Sequence, residues 1–408
     1  MDRSQALRQR LAIQRLSAAP LPRATDAVRL LTCVQSQERD HAFFSLGLRT
    51  RTATYAAVRA EYDDRAFLRT HILRPTWHFV LPEDLRWILA STSERVIRGM
   101  AYRHAQVGLA DPRHVERSLE TLVGLLSGRT FLTRQEIGAR FDEHDGLPRK
   151  GEQLGHLLLL AELRGLICSG PLKGVHHTYA LVDEVVPPTP VLEREEGLAR
   201  LAHRFFAGHG PASVKDFTRW ASLTVADATA AIAGAGAGLE EVEVDGIPHW
   251  FDPSVPRRTT AGRAAFLLPV YDEVVLTYPA VNFPVAQGHP NGERIDPFWA
   301  PVVVDQTNAG LWKRTVGKGT VAVETRLAPT LDDGQRALVR AAAERLADFL
   351  ECGLDYTEGE GTPHPVAGGP GPPVRTPTDG SPAPPTASAP LGESGWAAGQ
   401  SPAGRVWK

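Results

Sequence analysis

The chain has 408 residues, a formal net charge of −2 and a hydrophobic content of 42%. This length suits two to four domains rather than one compact unit. No apolar stretch approaches the roughly 20 residues of a membrane span, and the N-terminus (MDRSQALRQRL) lacks the apolar core of a signal peptide. Three distant cysteines, Cys33, Cys168 and Cys352, predict neither a disulfide framework nor a zinc knuckle. We therefore expect a soluble cytoplasmic protein with no metal, no cofactor and no membrane partner.

Positive charge is concentrated at the N-terminal end. Residues 1–110 carry 17 arginines, no lysine and 10 acidic residues, whereas acidic residues outnumber basic ones in the rest of the chain. A local excess of this kind is typical of an anion-binding face. A solvated, arginine-rich helix surface would give the same count, so charge alone does not identify a partner.

Residues 1–110 are predicted to form an N-terminal winged-helix-like unit. We expect helices at Gln5–Ser17, at Thr25–Val34 and on to about Tyr62, and then an extended run, HILRPTWHFV, over residues 71–80. The apolar run VRLLTCV suits the core face of the second helix, and the polar stretch VQSQERD follows it. The ordinary explanation of such a stretch is a solvated last turn of the helix.

The order helix, turn, helix, β-hairpin occurs twice downstream and is typical of winged helices. In residues 111–190, the capping box TRQE starts the helix IGARF, a longer helix covers residues 151–164, and LICSG and HTYALV flank a turn. In residues 191–262, SVKD and TVAD begin two helices, and EEVEV and HWFD flank the turn DG. Two units of matching order support each other.

Residues 263–356 are predicted to be a small antiparallel β-domain. Strands are expected in AAFLLPVYDEVVLTY, APVVVD, GLWKRT and TVAVETRL, and a closing helix over residues 334–351. Residues 357–408, rich in Pro, Gly, Ser and Thr, are predicted to be a disordered tail. The fold class is therefore mixed α+β: tandem winged-helix units, a small antiparallel β-domain with a C-terminal helix, and a disordered tail. The sequence shows no long βαβ alternation, which argues against a nucleotide-binding α/β fold.

Two stretches in the arginine-rich segment are candidates for chemistry. Gln35 and Gln37 alternate in VQSQERD, and in HILRPTWHFV a strand would place Thr76 and His78 on one face and Trp77 on the other. A half-buried strand with a core tryptophan is the ordinary explanation of the second pattern. The chain contains no GxSxG and no HExxH, and the glycine run GAGAG follows a helix where a dinucleotide fingerprint would follow a strand.

Four blocks in order make the sequence similar to a known family. They are LLTCVQSQERDHAFFSLGLRTR, HILRPTWHFVLPEDLRWILA, the wing YALVDE and WKRTVGKGTVAVETR. Together they resemble the winged-helix DNA glycosylases of the AlkZ-like group, from Leu7 to about Glu351. That family carries a Gln-x-Gln or Gln-x-Asp catalytic motif, whose positions here are Gln35 and Gln37. Ser36 stands where the family usually has an aliphatic residue.

The resemblance implies base excision of alkylated purines, including bulky or crosslinked adducts, from double-stranded DNA, without a cofactor. An amide is neither acid nor base at neutral pH, but a cationic N7- or N3-alkylpurine departs without protonation. Gln35 and Gln37 are then expected to orient a water and stabilise the sugar. No lysine precedes Lys150, which predicts a monofunctional enzyme with no Schiff-base step. A flipped base and a base attacked in the stack both remain compatible.

The motif sets a requirement on the backbone. Residues two apart on an α-helix point about 200° away from each other, so Gln35 and Gln37 reach one ligand only if the helix ends here. If the helix continues, Asp40 shares a face with Gln37. Asp40, with Glu38, is therefore the alternative base.

The remaining candidates are contacts to a DNA backbone, with the protein acting as a monomer at the nucleoid. The arginines of the positive segment are candidates for phosphate contacts: Arg49, Arg51, Arg69 and Arg74. Basic residues of a wing and of the C-terminal strands are further candidates: Lys173, His176, His177, Lys313, Arg314 and Lys318. Support for the motif is expected from Thr76 and His78.

Two alternatives stay open at this point. Tandem winged helices also suit a non-catalytic DNA-binding regulator, which would bind DNA in a salt-dependent way without releasing a base. A family member that has lost its activity or changed its lesion would retain the same fold.

Overall fold

The computed structural model describes residues 1–51, 53–143, 146–148, 150–190, 192–255, 262–279, 282–290 and 299–360. Most of the predicted tail, residues 361–408, lies outside the described residues. Within them, no helix is long and apolar enough to cross a membrane.

The N-terminal unit packs five helices around a small sheet. Its helices are α1 (Arg3–Ile13), α2 (Ala24–Leu31), α3 (Arg39–Arg49), α4 (Tyr55–Asp63) and α5 (Pro82–Gln106). Its strands are β1 (Cys33–Gln35), β2 (Leu68–His71) and β3 (Trp77–Val80), in the order β1-β3-β2 with antiparallel pairing.

Two sequence predictions are wrong in this unit. The helix expected over Thr25–Val34 stops at Leu31, because Thr32 adopts a positive φ of 66° and the next three residues form β1. The single extended run expected over residues 71–80 is instead the end of β2, a turn and β3. Pairing with β3 satisfies the β1 backbone, which a continued helix would have satisfied internally.

The second unit has the predicted winged-helix order. Its elements are α6 (Pro112–Leu126), β4 (Leu132–Thr133), α7 (Arg134–Phe141), α8 (Gly151–Leu163), β5 (Ile167–Ser169), β6 (Thr178–Leu181) and α9 (Val182–Val185). The predicted capping box is present: the Thr133 hydroxyl accepts from the Glu136 amide, and the Glu136 carboxylate accepts from the Thr133 amide. The sheet order is β4-β6-β5.

The third unit repeats that order. Its elements are α10 (Arg194–His209), α11 (Val214–Ala221), α12 (Val225–Ala235), β7 (Glu240–Val244) and β8 (Ile247–Phe251). Ser213 and Asp216 form the capping box of α11, and Asp245 and Gly246 make the β7–β8 turn with positive φ. These local predictions are confirmed.

The C-terminal unit is a five-stranded sheet closed by a helix. Its elements are β9 (Ala265–Leu267), α13 (Glu273–Leu276), β10 (Ala300–Val304), β11 (Thr307–Val316), β12 (Thr320–Leu327), α14 (Asp333–Phe349) and β13 (Gly353–Glu360). The order is β13-β12-β11-β10-β9, antiparallel except for the parallel pair β12–β13.

The sequence analysis missed two features of this unit. The strand expected after Leu267 is the short helix α13, because the Asp272 side chain accepts from the Val274 amide and caps it. The strand β13 runs to Glu360, four residues into the predicted tail. In its mostly polar sequence GLDYTEGE only Leu354 and Tyr356 alternate as apolar residues, which is a weak strand pattern, and pairing with β12 supplies its hydrogen bonds.

Strand β1 lies between two hydrophobic cores. Cys33 belongs to the core that joins the N-terminal unit to the third unit. Val34, the next residue, belongs to the core formed by α2, α3, α4, the C-terminal sheet and α14. Successive side chains of a strand point to opposite sides, so β1 contacts both cores at once. The position of the residues that follow it is therefore fixed by packing from three units.

A fully buried ion pair ties α3 to the loop before α13. Both side chains of Arg49 and Asp272 are 0% exposed, and two hydrogen bonds of 2.8 and 2.9 Å join the guanidinium to the carboxylate. The Ser45 hydroxyl donates to the Asp272 carboxylate, and the side-chain oxygen Oε1 of Gln14 accepts from Arg49 Nη2. The prediction that Arg49 contacts a phosphate is wrong, because its charge is already paired inside the protein.

We predict that Asp272→Asn lowers the free energy of unfolding by about 3–5 kcal/mol, because it leaves the Arg49 charge buried without a counter-charge. Urea denaturation measures this change. The control is Arg98→Ala, which breaks an exposed pair with Glu94 and changes the free energy by less than about 1 kcal/mol. An Asp272→Asn variant as stable as the wild type would contradict a structural role for the pair.

Candidate active site

Gln35 and Gln37 follow each other along an extended stretch. Gln35 ends β1 opposite His78 of β3, and the Ser36 amide donates to the Trp77 carbonyl at 2.8 Å, so the pairing continues one residue further. Side chains two apart on an extended chain lie on the same face. The helix α2 has already ended before the motif, and the motif runs from the last residue of β1 into the bend at Gln37, which permits both side chains to reach one ligand.

The carboxylate of Glu273 holds the backbone of the motif. Glu273 is 0% exposed, and its Oε1 accepts from the Gln35 amide at 2.8 Å. Its Oε2 accepts from Trp220 Nε1 at 3.2 Å and from the Thr277 hydroxyl at 3.0 Å, and His209 Nε2 lies 3.7 Å away. The third unit and α13 thus converge on the amide of the first glutamine.

Glu273 is an anion throughout the neutral range. Burial alone would raise the pKa of its carboxyl, but interactions with His209, the charge of Arg74 and the Gln35 amide lower this pKa to about 2. A fixed negative charge therefore lies directly behind the motif.

Arg69 holds the loop that carries the second glutamine. Its Nε donates to the Ser36 carbonyl at 3.0 Å and its Nη2 to the Gln37 carbonyl at 3.2 Å. The guanidinium lies 4.1 Å from the Trp77 ring centroid. Arg69 is 5% exposed, and burial lowers its pKa. The prediction that Arg69 contacts a phosphate is wrong, since the side chain is buried against the motif loop.

A buried glutamate of α8 supports the β2–β3 hairpin from the other side. The Glu162 carboxylate accepts from Trp77 Nε1 at 3.3 Å and contacts Nδ1 of His71. Glu162 is 0% exposed. The sequence analysis missed it, although a single acid inside the apolar run LLLLAELRG is a sign that a buried partner exists.

His78 is a neutral side chain under the motif face. Its Nδ1 lies 2.9 Å from the Thr76 carbonyl and its Nε2 3.0 Å from Arg74 Nη2, so the ring donates through Nδ1 and accepts through Nε2. Burial and the charge of Arg74 lower the pKa of His78 to about 3. His78 therefore supports the motif without supplying a proton. Arg74 is half-buried, and its contact with His78 uses Nη2, so the phosphate contact predicted for Arg74 stays a prediction.

Polar atoms on the motif face lack partners. Among the described residues, no hydrogen-bond partner is found for Gln35 Oε1 or for the Thr76 hydroxyl, and both atoms are buried. The side-chain oxygen Oε1 of Gln37 accepts a long contact, 3.4 Å, from the Trp77 amide. Buried polar atoms without partners are rare in folded proteins. These side-chain oxygens are therefore available to hydrogen-bond a water or a ligand.

The two neighbouring carboxylates differ in their surroundings. Asp40 pairs with Arg39 at 3.0 Å and accepts from the Tyr55 hydroxyl at 3.1 Å. Burial would raise the pKa of Asp40, but the charges of Arg39 and Arg314 lower it. Glu38 is half-buried, its carboxylate is in no hydrogen bond or ion pair among the described residues, and burial raises its pKa. Glu38 is thus the freer of the two alternative bases.

The β5–β6 wing packs against α3 and α4. Arg39 Nη1 donates to the Val175 carbonyl at 3.0 Å, and Arg59 Nη2 donates to the Gly174 carbonyl at 2.8 Å. The tip of this wing is therefore hydrogen-bonded to α3, the helix that begins two residues after Gln37.

The predicted wing contacts fall into different environments. Lys173 is exposed and pairs with Glu136 at 2.5 Å. His177 is half-buried, with its ring 6.0 Å from that of Trp77 and 4.7 Å from that of Tyr179. His176 is exposed. Lys173 and His176 are thus the exposed wing candidates, and Lys173 already has an ion-pair partner.

The basic residues of the C-terminal hairpin also differ in access. Lys313 pairs with Glu324 at 2.8 Å and lies 4.7 Å from the Trp299 ring centroid. Arg314 is half-buried, and its charge acts on Asp40. Lys318, in the β11–β12 turn, is exposed, as is Arg51 in the N-terminal unit.

Among the described residues, no group of three or more His, Cys, Asp or Glu side chains is arranged to hold a metal ion.

Comparison with known proteins identifies the family. The family model described as DNA glycosylase AlkZ-like matches residues 28–349. The chain belongs to this family. A curated relative from Streptomyces sahachiroi, named interstrand DNA cross-link repair glycosylase, is 26% identical over 250 residues, covering 58% of this chain and 66% of the relative. The solved structure of Streptomyces sahachiroi DNA glycosylase AlkZ matches with a TM-score of 0.68 and 22% identity, over 88% of this chain and 100% of that chain.

Membership of the AlkZ-like family confirms the resemblance drawn from the sequence blocks. The matched region begins in α2 and ends at the last residue of α14, so it contains β1, the motif, both wings and strands β9 to β12 of the C-terminal sheet. The structural match confirms the mixed α+β fold class.

We predict that the protein loses stability as the pH falls from 6.5 towards 3. Burial, chiefly, lowers the pKa of both His41 and His78 to about 3, so these rings stay neutral in the folded protein while they gain protons in the unfolded chain. Each histidine is expected to lower the free energy of unfolding by on the order of 1.4 kcal/mol for every pH unit that the pH falls within that window. Urea midpoints measured between pH 7.5 and 4.5 check the slope.

Histidine variants separate this effect from other titrations. His78→Asn is expected to flatten the pH dependence, whereas His176→Gln, at an exposed site, is expected to leave it unchanged. An equal flattening by both variants would contradict the assignment to the buried rings.

Proposed function

We propose that the protein is a monofunctional DNA glycosylase that hydrolyses the N-glycosidic bond of cationic N7- or N3-alkylated purines and leaves an abasic site. The observation that supports the proposal is the side-chain oxygen Oε1 of Gln35, which is buried and has no partner among the described residues. The pairing of β1 with β3 continues through the Ser36 amide, which favours a common side for Gln35 and Gln37. The printed name of the curated relative supports bulky or crosslinked adducts as the substrate class.

Two uncharged amides suffice if the substrate already carries the charge. The bond between C1′ and the purine nitrogen breaks, and its electron pair neutralises the cationic base, so no acid is needed for the leaving group. The sugar becomes oxocarbenium-like, and a water oxygen then bonds to C1′ and releases its proton to solvent. An amide oxygen can accept a hydrogen bond from that water and stabilise the developing positive charge.

The surroundings of the motif favour this step. The Glu273 carboxylate, with its pKa lowered to about 2, supplies a permanent negative charge behind Gln35. Charge interactions are stronger in a buried site than in water, so this anion favours a positive sugar in front of it. Arg69 and Glu273 together fix the backbone on both sides of Ser36, and this rigidity limits the reorganisation that the reaction requires.

Duplex DNA would be held by the exposed cations. Arg51, His176 and Lys318 remain accessible, whereas Arg49, Arg69 and Arg74 serve internal contacts. Such contacts position the backbone without reading sequence, and they weaken with salt. A monomer acting on the nucleoid in the cytoplasm completes the proposal. No lysine precedes Lys150 in the sequence, which supports hydrolysis without a lyase step.

The test is single-turnover release of N7-methylguanine from methylated duplex DNA, read as abasic sites after alkaline cleavage. Gln35→Ala and Gln37→Ala are each expected to slow release by about tenfold or more, equivalent to about 1.4 kcal/mol of barrier. The control is Gln106→Ala, an exposed glutamine at the end of α5, with wild-type activity expected.

Glu38→Gln distinguishes amide from carboxylate chemistry in the same assay. We expect release within about twofold of the wild type, because the proposed step uses no carboxylate base. A large loss in Glu38→Gln together with normal release in both glutamine variants would move the chemistry to Glu38. If the wild-type protein binds the duplex but releases neither N7-methylguanine nor a bulkier N7 adduct, the result would favour the alternative function, a non-catalytic DNA-binding regulator.

A further inference from the structure

Tyr271 has an unusual backbone for an aromatic residue. It lies between β9 and α13 with a φ of 67°, in the left-handed region where a Cβ atom crowds the backbone. Its ring is 39% exposed, and its hydroxyl has no hydrogen-bond partner among the described residues. Glycine or asparagine would occupy this backbone conformation more easily than a tyrosine.

Contacts on both sides hold Tyr271 in this conformation. On one side, the Val270 amide donates to Nδ1 of His41 at 3.3 Å. On the other side, Asp272 is locked in the buried pair with Arg49 and accepts from the Ser45 hydroxyl at 2.7 Å. Strained residues persist only where neighbouring structure fixes them, and they concentrate at functional sites.

The loop that carries Tyr271 reaches the glutamine motif. Glu273, two residues after Tyr271, is the group that holds the Gln35 amide. Burial, and after it the charge of Glu38, which follows Gln37 directly, raises the pKa of Tyr271. The ring is therefore a neutral, partly exposed surface at the edge of the site.

We propose that the Tyr271 ring stacks on a nucleobase of the DNA bound at Gln35 and Gln37, which makes Tyr271 a positioning residue. The inference rests on the proposed function. A flat ring on a rigid backbone loses little entropy when a base stacks on it. Stacking of this kind contributes about 5- to 150-fold in affinity per base.

The binding experiment uses a duplex with 2′-fluoro-N7-methyldeoxyguanosine, in which the fluorine slows departure of the base. Tyr271→Ala and Tyr271→Gly are expected to weaken binding by about 5- to 150-fold. Tyr271→Phe keeps the ring and is expected to bind within about twofold of the wild type. The control is Tyr102→Ala, which removes a tyrosine 77% exposed on α5 and should not change binding.

Thermal unfolding adds a readout that a purely structural residue would not give. Tyr271→Gly relieves the left-handed strain, so its Tm is expected to equal or exceed that of the wild type while binding falls. Arg129→Gly, at a φ of 58° in the turn after α6, relieves the same kind of strain elsewhere and should leave binding unchanged. A Tyr271→Gly variant that loses stability and binding together would overturn the inference.

The position of the stacked base is read by 2-aminopurine fluorescence. The fluorescent base is placed on either side of the lesion in two duplexes, and opposite the lesion in a third. The inference expects Tyr271→Ala, but not Tyr271→Phe, to raise the fluorescence of at least one complex, which also identifies the base. No change at any position would overturn it, and so would an equal loss of binding in Tyr271→Phe and Tyr271→Ala.

Failure of this inference is distinguishable from failure of the proposed function. If Tyr271→Ala binds and releases N7-methylguanine like the wild type while Gln35→Ala does not, the inference is wrong and the function stands. If the wild type releases no base but Tyr271→Ala weakens binding and changes fluorescence, the stacking stands and the function is wrong.

Discussion

The hydrogen bond from the Gln35 amide to the buried carboxylate of Glu273 is the interaction on which the site depends. A buried anion is costly unless charges and donors surround it. Here those groups come from distant parts of the chain: β1, Trp220 and His209 of the third unit, and Thr277 just after α13. The motif is therefore in place only when the N-terminal, third and C-terminal units have assembled around one carboxylate.

Local features of the fold were predictable from the sequence because their causes are local. Capping boxes at Thr133 and Ser213 and the turn at Asp245 and Gly246 depend on residues a few positions apart. The run VRLLTCV misled for the opposite reason, since a short apolar run suits a helix and a buried strand equally. Only pairing with β3, far along the chain, makes Cys33–Gln35 a strand.

The candidate site was predictable in its residue types and not in its supports. The alternation of Gln35 and Gln37, and of Thr76 and His78, drew attention to these two stretches, and the register of β1 with β3 places Gln35 opposite His78. The arginine count suggested a phosphate surface, but charge counting takes no account of burial. Arg49 and Arg69 instead organise the interior, with partners that the sequence does not indicate.

In the proposed mechanism the protein supplies no acid, so the base that leaves must carry its own positive charge. The most direct measurement compares single-turnover release of N7-methylguanine, which is cationic, with release of hypoxanthine, which is neutral, from the same position of the same duplex. The account predicts release of N7-methylguanine and no measurable release of hypoxanthine over the same time. Comparable rates for the two bases would mean that a side chain protonates the leaving group, and this would contradict the account.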